Sequence, residues 1–297
     1  MIARDVVVIG DVMLDVVVKP AVEIAPTSDT PSTVRLSRGG SAANLAEALA
    51  RAGHRVSYVG ACGSDLGAQF FDDELHNVGV EAVLERTDVA TGVVVAVVDA
   101  AGERAMMTDR GANSTLGLDH VTRELDRPFD HLHVSGYTLL DPATTAVGHA
   151  ALVTARELDR STSVDVCSVA ALIALSPARF LQAARGASML FANEEEALVL
   201  SGCADVRGAV QRLSLDFDEV MVTLGERGAQ VRRDGVDFSA TSSSTHVIDT
   251  TGAGDAATGA YLAARLRDVS VADALDAAMA AASEVVTGLG SRGQSRL

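Results

Sequence analysis

The sequence lacks most features of secreted and membrane-spanning proteins. Its three cysteines, Cys62, Cys167 and Cys203, are scattered and form no CxxC pair, which argues against a disulfide framework or a structural zinc site. The longest apolar runs, such as Val169–Leu175, fall far short of the roughly 20 residues that span a bilayer. The apolar run between Asp5 and Asp11 is too short for the core of a signal peptide. We therefore expect a cytoplasmic protein.

Basic residues and aromatic residues are also scarce. Lys and Arg total 24 against 40 Asp and Glu, which gives a formal net charge of −16, and Lys19 is the only lysine. Nucleic-acid binding needs clustered cations and an anionic membrane repels an acidic protein, so neither partner is expected. There is no tryptophan, and aromatic residues make up 3% of the chain against 48% hydrophobic residues. The core must therefore be built mainly from Ala, Val and Leu.

Strand-like and helix-like segments alternate along most of the chain. Strands are predicted at 6–9, 56–59, 131–134, 163–166, 188–191 and 219–223, and helices at 42–52, 66–78, 142–158, 194–200, 206–213, 254–266 and 271–287. This alternation predicts an α/β fold with a mostly parallel central sheet covered on both faces. Two strand-like insertions without helices, at about 20–36 and 80–108, predict a small β-sheet on a single domain that spans 1–297.

A glycine-rich segment near the C-terminus is the most informative part of the sequence. Residues 249–255 read DTTGAGD and lead from a strand into a long helix. Backbone amides at a helix N-terminus bind anions, and glycines let a phosphate approach closely. Asp255 would either cap this helix through the helix dipole or accept a hydroxyl proton during phosphoryl transfer.

Two other patterns are weaker signals. Residues 288–293 match GxGxxG but follow a helix, so they lack the strand–turn–helix context of a dinucleotide site. His131 and His133 share one face of a strand, but no third metal ligand accompanies them. Neither pattern predicts a cofactor.

Four motifs, in chain order, resemble those of the ribokinase-like (PfkB) family of carbohydrate and nucleoside kinases. The segment 39–44 (GGSAAN), followed by 60–67, is similar to the N-terminal signature, and 249–255 to the C-terminal one. The segment 193–196 (NEEE) resembles the NxxE motif, and 223–228 (TLGERG) the turn on the nucleotide side. Together these matches extend over nearly the whole chain.

The resemblance implies a three-layer α/β sandwich with a small β-sheet lid that closes over a sugar. It implies transfer of the ATP γ-phosphoryl group to a sugar hydroxyl, with Asp255 as general base. The amides of Gly252, Ala253 and Gly254 would form the anion hole. Mg²⁺ would be held through water by Asn193 and Glu196.

The resemblance also assigns binding residues. The expected substrate-binding residues are Asp11, Asp15, Gly39, Gly40, Asn44, Tyr137 and Arg104, with Arg110 as a weaker candidate. The expected ATP-binding residues are Asn193, Thr223, Gly225 and Gly228. A K⁺ site would use Asp249 and the carbonyl group of Thr251, opposite the 288–293 loop.

Family members often carry a basic or amide residue after the middle strand, and the segment 165–169 (DVCSV) offers neither. Phosphate charge would then be neutralised by Mg²⁺, the anion hole and an arginine from elsewhere in the chain. A sugar kinase is the leading hypothesis, and a nucleoside kinase or a sugar- or nucleotide-binding regulator without catalysis are the alternatives. The apolar, strand-like lid favours a homodimer formed through the lid.

Overall fold

A computed structural model describes residues 3–99, 104–242 and 252–286, and of Arg104 it describes the backbone. Nine strands form a large sheet in the order β13-β12-β11-β10-β9-β8-β1-β4-β5. They are β1 (Asp5–Ile9), β4 (Arg55–Gly63), β5 (Val80–Thr87), β8 (His131–Val134), β9 (Ser161–Asp165), β10 (Met189–Asn193), β11 (Glu219–Thr223), β12 (Ala229–Arg233) and β13 (Val236–Ala240). The seven strands from β11 to β5 pair in parallel, and β12 and β13 are antiparallel additions at one edge.

Helices cover both faces of the large sheet. They are α1 (Ser41–Arg51), α2 (Leu66–Asn77), α3 (Leu118–Leu125), α4 (Gly136–Leu140), α5 (Thr145–Glu157), α6 (Val169–Leu175), α7 (Pro177–Ala183), α8 (Glu194–Ser201), α9 (Val206–Leu213), α10 (Ala253–Arg265) and α11 (Val271–Val286). Several begin at side-chain caps, because an aspartate, serine or asparagine satisfies amides of the first turn. Asp65 caps α2, Ser168 caps α6 and Asp205 caps α9.

The core consists of two apolar layers, one on each face of the large sheet. Successive side chains of a strand point to opposite faces, so Val7 and Ile9 of β1 enter one layer and Val6 and Val8 the other. The first layer contains side chains of α3, α5 and α6–α9, and the second those of α1, α2, α10 and α11. The predicted α/β fold with a mostly parallel sheet and a three-layer arrangement is confirmed.

Four strands form the small sheet, and they correct the predicted lid boundaries. Its order is β3-β2-β6-β7, with β2 at Met13–Pro20, β3 at Ser32–Gly39, β6 at Val93–Val98 and β7 at Arg104–Asp109. Strand β5 was assigned to this sheet from the sequence, but it pairs in parallel with β4 at the edge of the large sheet. The helix α2 connects β4 to β5, and a strand–helix–strand unit of this kind places both strands in one parallel sheet. The boundary at 80 was therefore wrong, and so was the one at about 20, because β2 already begins at Met13.

Helices in the described part of the chain are all too short or too polar to cross a lipid bilayer.

Candidate active site

A cavity of about 700 Å³ lies where the small sheet meets the C-terminal ends of the parallel strands. Open α/β sheets place ligand sites at these strand ends, because the loops that follow neighbouring strands converge there. The small sheet contributes Met13, Asp15, Val94, Met106 and Thr108, and the strand ends and helices contribute Ser41, Asn44, Tyr137, Asp165, Asn193, Glu196, Thr223, Gly252, Gly254 and Asp255.

Two crossing helices, α1 and α10, position the polar centre of this cavity. A Cβ atom built on Gly259 of α10 would lie 2.4 Å from the Cβ of Ala48 in α1, so the helices approach closely only because residue 259 is glycine. Asn44 and Asp255 lie four residues, about one helical turn, before these contact residues. The close crossing therefore places their side chains next to each other.

Asp255, in α10, accepts hydrogen bonds from two side chains of α1. Its Oδ1 lies 2.8 Å from the Oγ of Ser41, and its Oδ2 accepts from Nδ2 of Asn44 at 2.9 Å. Burial raises the pKa of Asp255 to about 6, while the bonds from Asn44 and Ser41 act in the opposite direction. A carboxylate with this pKa accepts a proton readily near neutral pH.

The start of α10 has the geometry that an anion site needs. Gly252 precedes the helix in the left-handed conformation, with φ 79° and ψ −2°. The amides of the first turn have no partner inside the helix, and the helix dipole makes this end electropositive. Gly252 and Gly254 line the cavity, and a Cβ on Gly254 would meet no atom within 4 Å. An anionic group can therefore reach this backbone from the cavity.

On the small-sheet side, Arg110 joins two carboxylates. Its Nε and Nη2 donate to Asp11 at 2.8 and 2.7 Å, and its Nη1 donates to Asp141. Burial raises the pKa of Asp11, although the hydrogen bonds from Arg110 oppose this rise. Asp11, predicted to bind a sugar hydroxyl, thus lies in the cavity wall with both oxygens already bonded to an arginine that was only a weaker candidate.

The other predicted substrate-side residues surround the same space. A Cβ on Gly40, whose φ is +95°, would lie 2.2 Å from the carbonyl oxygen of Asp11, and a Cβ on Gly39 would lie 2.2 Å from the carboxylate of Asp15. The Oδ1 of Asn44 is buried and has no hydrogen-bond partner among the described residues. Such an acceptor is costly unless a ligand donates to it, and a sugar hydroxyl is a suitable donor. Tyr137 lines the cavity, and burial raises its pKa.

Asn193 and Glu196 form a capping box at the start of α8. The backbone amide of Asn193 donates to Oε2 of Glu196, and the amide of Glu196 donates to Oδ1 of Asn193, both at 2.9 Å. Burial raises the pKa of Glu196 to about 7, so a nearby cation would favour its ionised form. Mg²⁺ prefers oxygen ligands and retains water, and both residues line the cavity, so they fit the ion. The described residues contain no cluster of three or more His, Cys, Asp and Glu side chains that would hold a metal directly.

The predicted nucleotide-side residues lie along and beyond the end of β11. Thr223 lines the cavity, whereas Gly225 and Gly228 belong to the turn that follows. Gly228 has φ +95°, and a Cβ there would lie 1.9 Å from the carbonyl oxygen of Ala240. Its role in the described structure is thus to let the turn pack against β13. Asp249, Thr251, the 288–293 loop and the side chain of Arg104 lie outside the described residues and side chains.

Ser41 and Asp165 are among the cavity residues that were not assigned a role from the sequence. Ser41 was quoted only as part of a motif, and Asp165 only as part of a segment that lacks a basic residue. Asp165 is the last residue of β9, and its position at the carboxyl end of a parallel strand is the signal that could have identified it.

His131 and His133, considered from the sequence as a possible metal pair, are buried in β8. Both rings hydrogen-bond to the Oγ of Ser163.

Sequence comparison identifies the family. Residues 3–296 match the family described as pfkB family carbohydrate kinase. The chain therefore belongs to this family and is a sugar or nucleoside kinase, a phosphotransferase that acts on a hydroxyl group.

Individual relatives are consistent with this family. The chain is 30% identical over 278 residues to the ATP-dependent ribose-1-phosphate kinase of Halopiger xanaduensis, covering 91% of this chain and 88% of the relative. It is 28% identical over 273 residues to the ribokinase of Haemophilus influenzae, covering 89% and 85%. Among solved structures, adenosine kinase from Sinorhizobium meliloti superimposes with a TM-score of 0.88 at 24% identity, covering 99% and 97%. That likeness shows the shared fold.

Proposed function

We propose that the protein transfers the γ-phosphoryl group of ATP to a hydroxyl group of a small sugar. The observation that supports this most directly is the placement of Asp255. Its carboxylate is fixed by Ser41 and Asn44, and it stands in the first turn of the helix whose amide end opens into the cavity. A proton acceptor and an anion site are thus adjacent, as transfer of a phosphoryl group to a hydroxyl requires.

In the proposed reaction, a sugar hydroxyl hydrogen-bonds to Asp255. Asp255 takes the hydroxyl proton as the oxygen attacks the γ-phosphorus, the bond between that phosphorus and the β–γ bridging oxygen breaks, and ADP leaves. The amides of Gly252, Ala253 and Gly254 donate hydrogen bonds to the oxygens of the phosphoryl group during its transfer. These donors are fixed before the reaction begins, so no reorganisation is needed as charge develops.

Substrate hydroxyls would be oriented by the remaining cavity residues. The buried Oδ1 of Asn44 accepts from one hydroxyl, and Asp15 and Asp11 accept from others. Thr223 and Asn193 would face the nucleotide. Mg²⁺, held through water by Asn193 and Glu196, would neutralise phosphate charge. A solved structure of a putative ribokinase II from E. coli, 22% identical and with a TM-score of 0.86, contains ATP and Mg²⁺ in its complex. K⁺ binding by Asp249 and Thr251 stays a prediction.

An ADP-release assay with Mg²⁺, with and without K⁺, tests the proposal. The panel contains pentoses, ketohexoses, keto-deoxy acids, ribose 1-phosphate and nucleosides, the last two because of the relatives named above. We expect turnover with at least one free sugar. Turnover restricted to nucleosides would favour the nucleoside kinase, and ligand-induced thermal stabilisation without ADP release would favour a binding regulator.

We also propose that two copies associate through the lid. Side chains of the small sheet that alternate with its cavity-facing residues form an apolar row across all four strands: Leu36, Val16, Val95 and Met107. Leu36 and Met107 are 62% and 57% exposed, and exposed apolar surface of this kind favours association. Sedimentation velocity should show a dimer that Leu36→Lys converts to a monomer. A wild-type monomer at assay concentration would contradict this.

A further inference from the structure

A second carboxylate, that of Asp165, lies near Asp255 in this cavity. The Oγ of Ser41 lies 2.8 Å from Oδ1 of Asp255 and 3.0 Å from Oδ2 of Asp165. The two carboxylates come from distant elements, since Asp165 ends β9 and Asp255 begins α10. A single serine hydroxyl therefore bridges them.

Ser41 can hydrogen-bond to both Asp255 and Asp165 only when one of the two carboxylates carries a proton. A hydroxyl group has one hydrogen to donate, so it cannot donate to two ionised carboxylates at once. Once Asp255 has gained a proton, it can donate to Ser41, and Ser41 can donate to Asp165. Both short contacts are then hydrogen bonds. The geometry thus favours the state that exists after Asp255 has taken a proton from the substrate.

The carboxylate of Asp165 also faces hydrogen-bond donors other than Ser41. The amide of Gly136 donates to Oδ1 of Asp165 at 2.7 Å. The Nε2 of His133 lies 3.8 Å from the same oxygen, is buried, and has no hydrogen-bond partner among the described residues. The tautomer of His133 with its proton on Nε2 is attracted to this carboxylate, whereas the lone pair of the other tautomer would be repelled by it.

The hydrogen bonds that His133 makes through its other ring nitrogen, Nδ1, are compatible with a proton on Nε2. Its Nδ1 lies 2.9 Å from the Oγ of Ser163, which lies 2.8 Å from Nε2 of His131. If His131 donates to Ser163 and Ser163 donates to His133, the proton of His133 is on Nε2. Burial lowers the pKa of both histidines, which keeps both rings neutral.

We propose that Asp165 is a positioning residue that sets the base strength of Asp255, acting through its charge and through the Ser41 bridge. This inference rests on the proposed function of Asp255 and deepens it. The raised pKa of Asp255, to which burial contributes most and the charge of Asp165 also contributes, agrees with it. The other charged or titratable groups around Asp255 are Arg38, Tyr137 and Glu196.

The decisive measurement is the pKa of Asp255 in the ligand-free protein, which does not depend on finding the substrate. Aspartate carboxyl carbons are labelled with ¹³C, and the NMR signal lost in Asp255→Asn identifies Asp255. A like charge within about 4–6 Å typically shifts a pKa by one unit or more. Asp165→Asn should therefore lower this pKa by about one unit or more. Asp268→Asn, which removes an exposed aspartate at a distance from the cavity, should leave it unchanged.

A second pair of variants tests the bridge. In a Ser41→Ala background, Asp165→Asn should lower the pKa of Asp255 by less than in wild type, because only direct charge repulsion is left. Ser41→Thr keeps the hydroxyl and should preserve the full effect. With an active substrate, the acid limb of the kcat/KM profile of Asp165→Asn should move to lower pH, a change that a purely structural role would not produce.

An unchanged or higher pKa in Asp165→Asn would overturn the proposal, and an equal effect in the Ser41→Ala background would overturn the bridge. If Asp165→Asn does not fold, Asp165→Ala removes the same charge and is titrated instead. Silence across the substrate panel together with a lowered pKa would refute the proposed kinase substrates while supporting this carboxylate pair.

Discussion

Replacing Asp255 with asparagine should remove catalysis while leaving the site assembled. The Oδ1 of the new asparagine can accept from Asn44, and its Nδ2 can donate to the Oγ of Ser41. Ser41 is then free to donate to Asp165, so the hydrogen bonds around position 255 are kept. The variant lacks only the proton acceptor. General-base catalysis is typically worth about 10²–10⁴-fold, so kcat should fall by that factor.

The same substitution should stabilise the protein, with a definite pH dependence. A rise in the pKa of Asp255 from the ordinary value of 3.8 to about 6 corresponds to at most about 3 kcal/mol, at roughly 1.36 kcal/mol per unit. An acid with a raised folded-state pKa stabilises the fold fully below about pH 4, and this stabilisation is lost as pH rises through about 6. Wild type therefore loses stability over this range, and asparagine does not.

Two assays check this prediction together. ADP release with the best substrate of the panel measures kcat, and urea unfolding at pH 5 and pH 8 measures the free energy of unfolding. The advantage of Asp255→Asn over wild type should be larger at pH 8, while Asp268→Asn should show no such trend. Because the cavity admits some water to Asp255, we expect a gain of about 1–3 kcal/mol. Turnover within tenfold of wild type would refute the role of Asp255 as base.

Three further variants probe how the site is built. Arg110→Met leaves the buried carboxylate of Asp11 unpaired, so the free energy of unfolding should fall by about 3–5 kcal/mol in urea titrations; a loss below 1 kcal/mol would show that the pair is not needed. Asn44→Ala removes the acceptor for a substrate hydroxyl and a bond to the base, so both a higher sugar KM and a lower kcat are expected in the ADP assay. Gly259→Ala forces α1 and α10 apart and should cost about 1–3 kcal/mol, and a second change, Ala48→Gly, should restore most of the loss in thermal unfolding; no restoration would contradict the crossing argument.

The fold was predictable because its signals are local. Alternating β-branched strands and helices along the chain were sufficient to predict the three layers and the parallel sheet. The error at β5 arose where local pattern and pairing partner differ: Val80–Thr87 looks like the other lid strands, and only its connection through α2 places it beside β4. Strand pairing depends on the whole connection, which a window of sequence does not contain.

The candidate site was predictable to the extent that its residues belong to contiguous motifs. Asp255, Asn44 and Glu196 belong to three such motifs, and the structure brings them to the same cavity. Asp165 and Arg110 were harder to interpret, because their roles depend on contacts with residues far away in the sequence: Arg110 contacts Asp11, and Asp165 contacts Ser41, which in turn contacts Asp255. Convergence of this kind is a property of the tertiary structure, and sequence spacing carries no record of it.

The charges that line the cavity explain how a negatively charged protein can bind negatively charged phosphates. Among the cavity-lining residues that the structure describes, Arg110 is the one basic side chain, and two carboxylates already bind it. The positive potential for phosphates must then come from groups that add no side-chain charge. The amide end of α10 supplies it at 252–254, and a divalent cation at Asn193 and Glu196 would add the rest. The net charge of −16 is spread along the chain, and water and salt screen exposed charges beyond about 10 Å, so this charge opposes the local dipoles only weakly. The scarcity of lysine is thus compatible with phosphoryl transfer, provided that the backbone holds the phosphate.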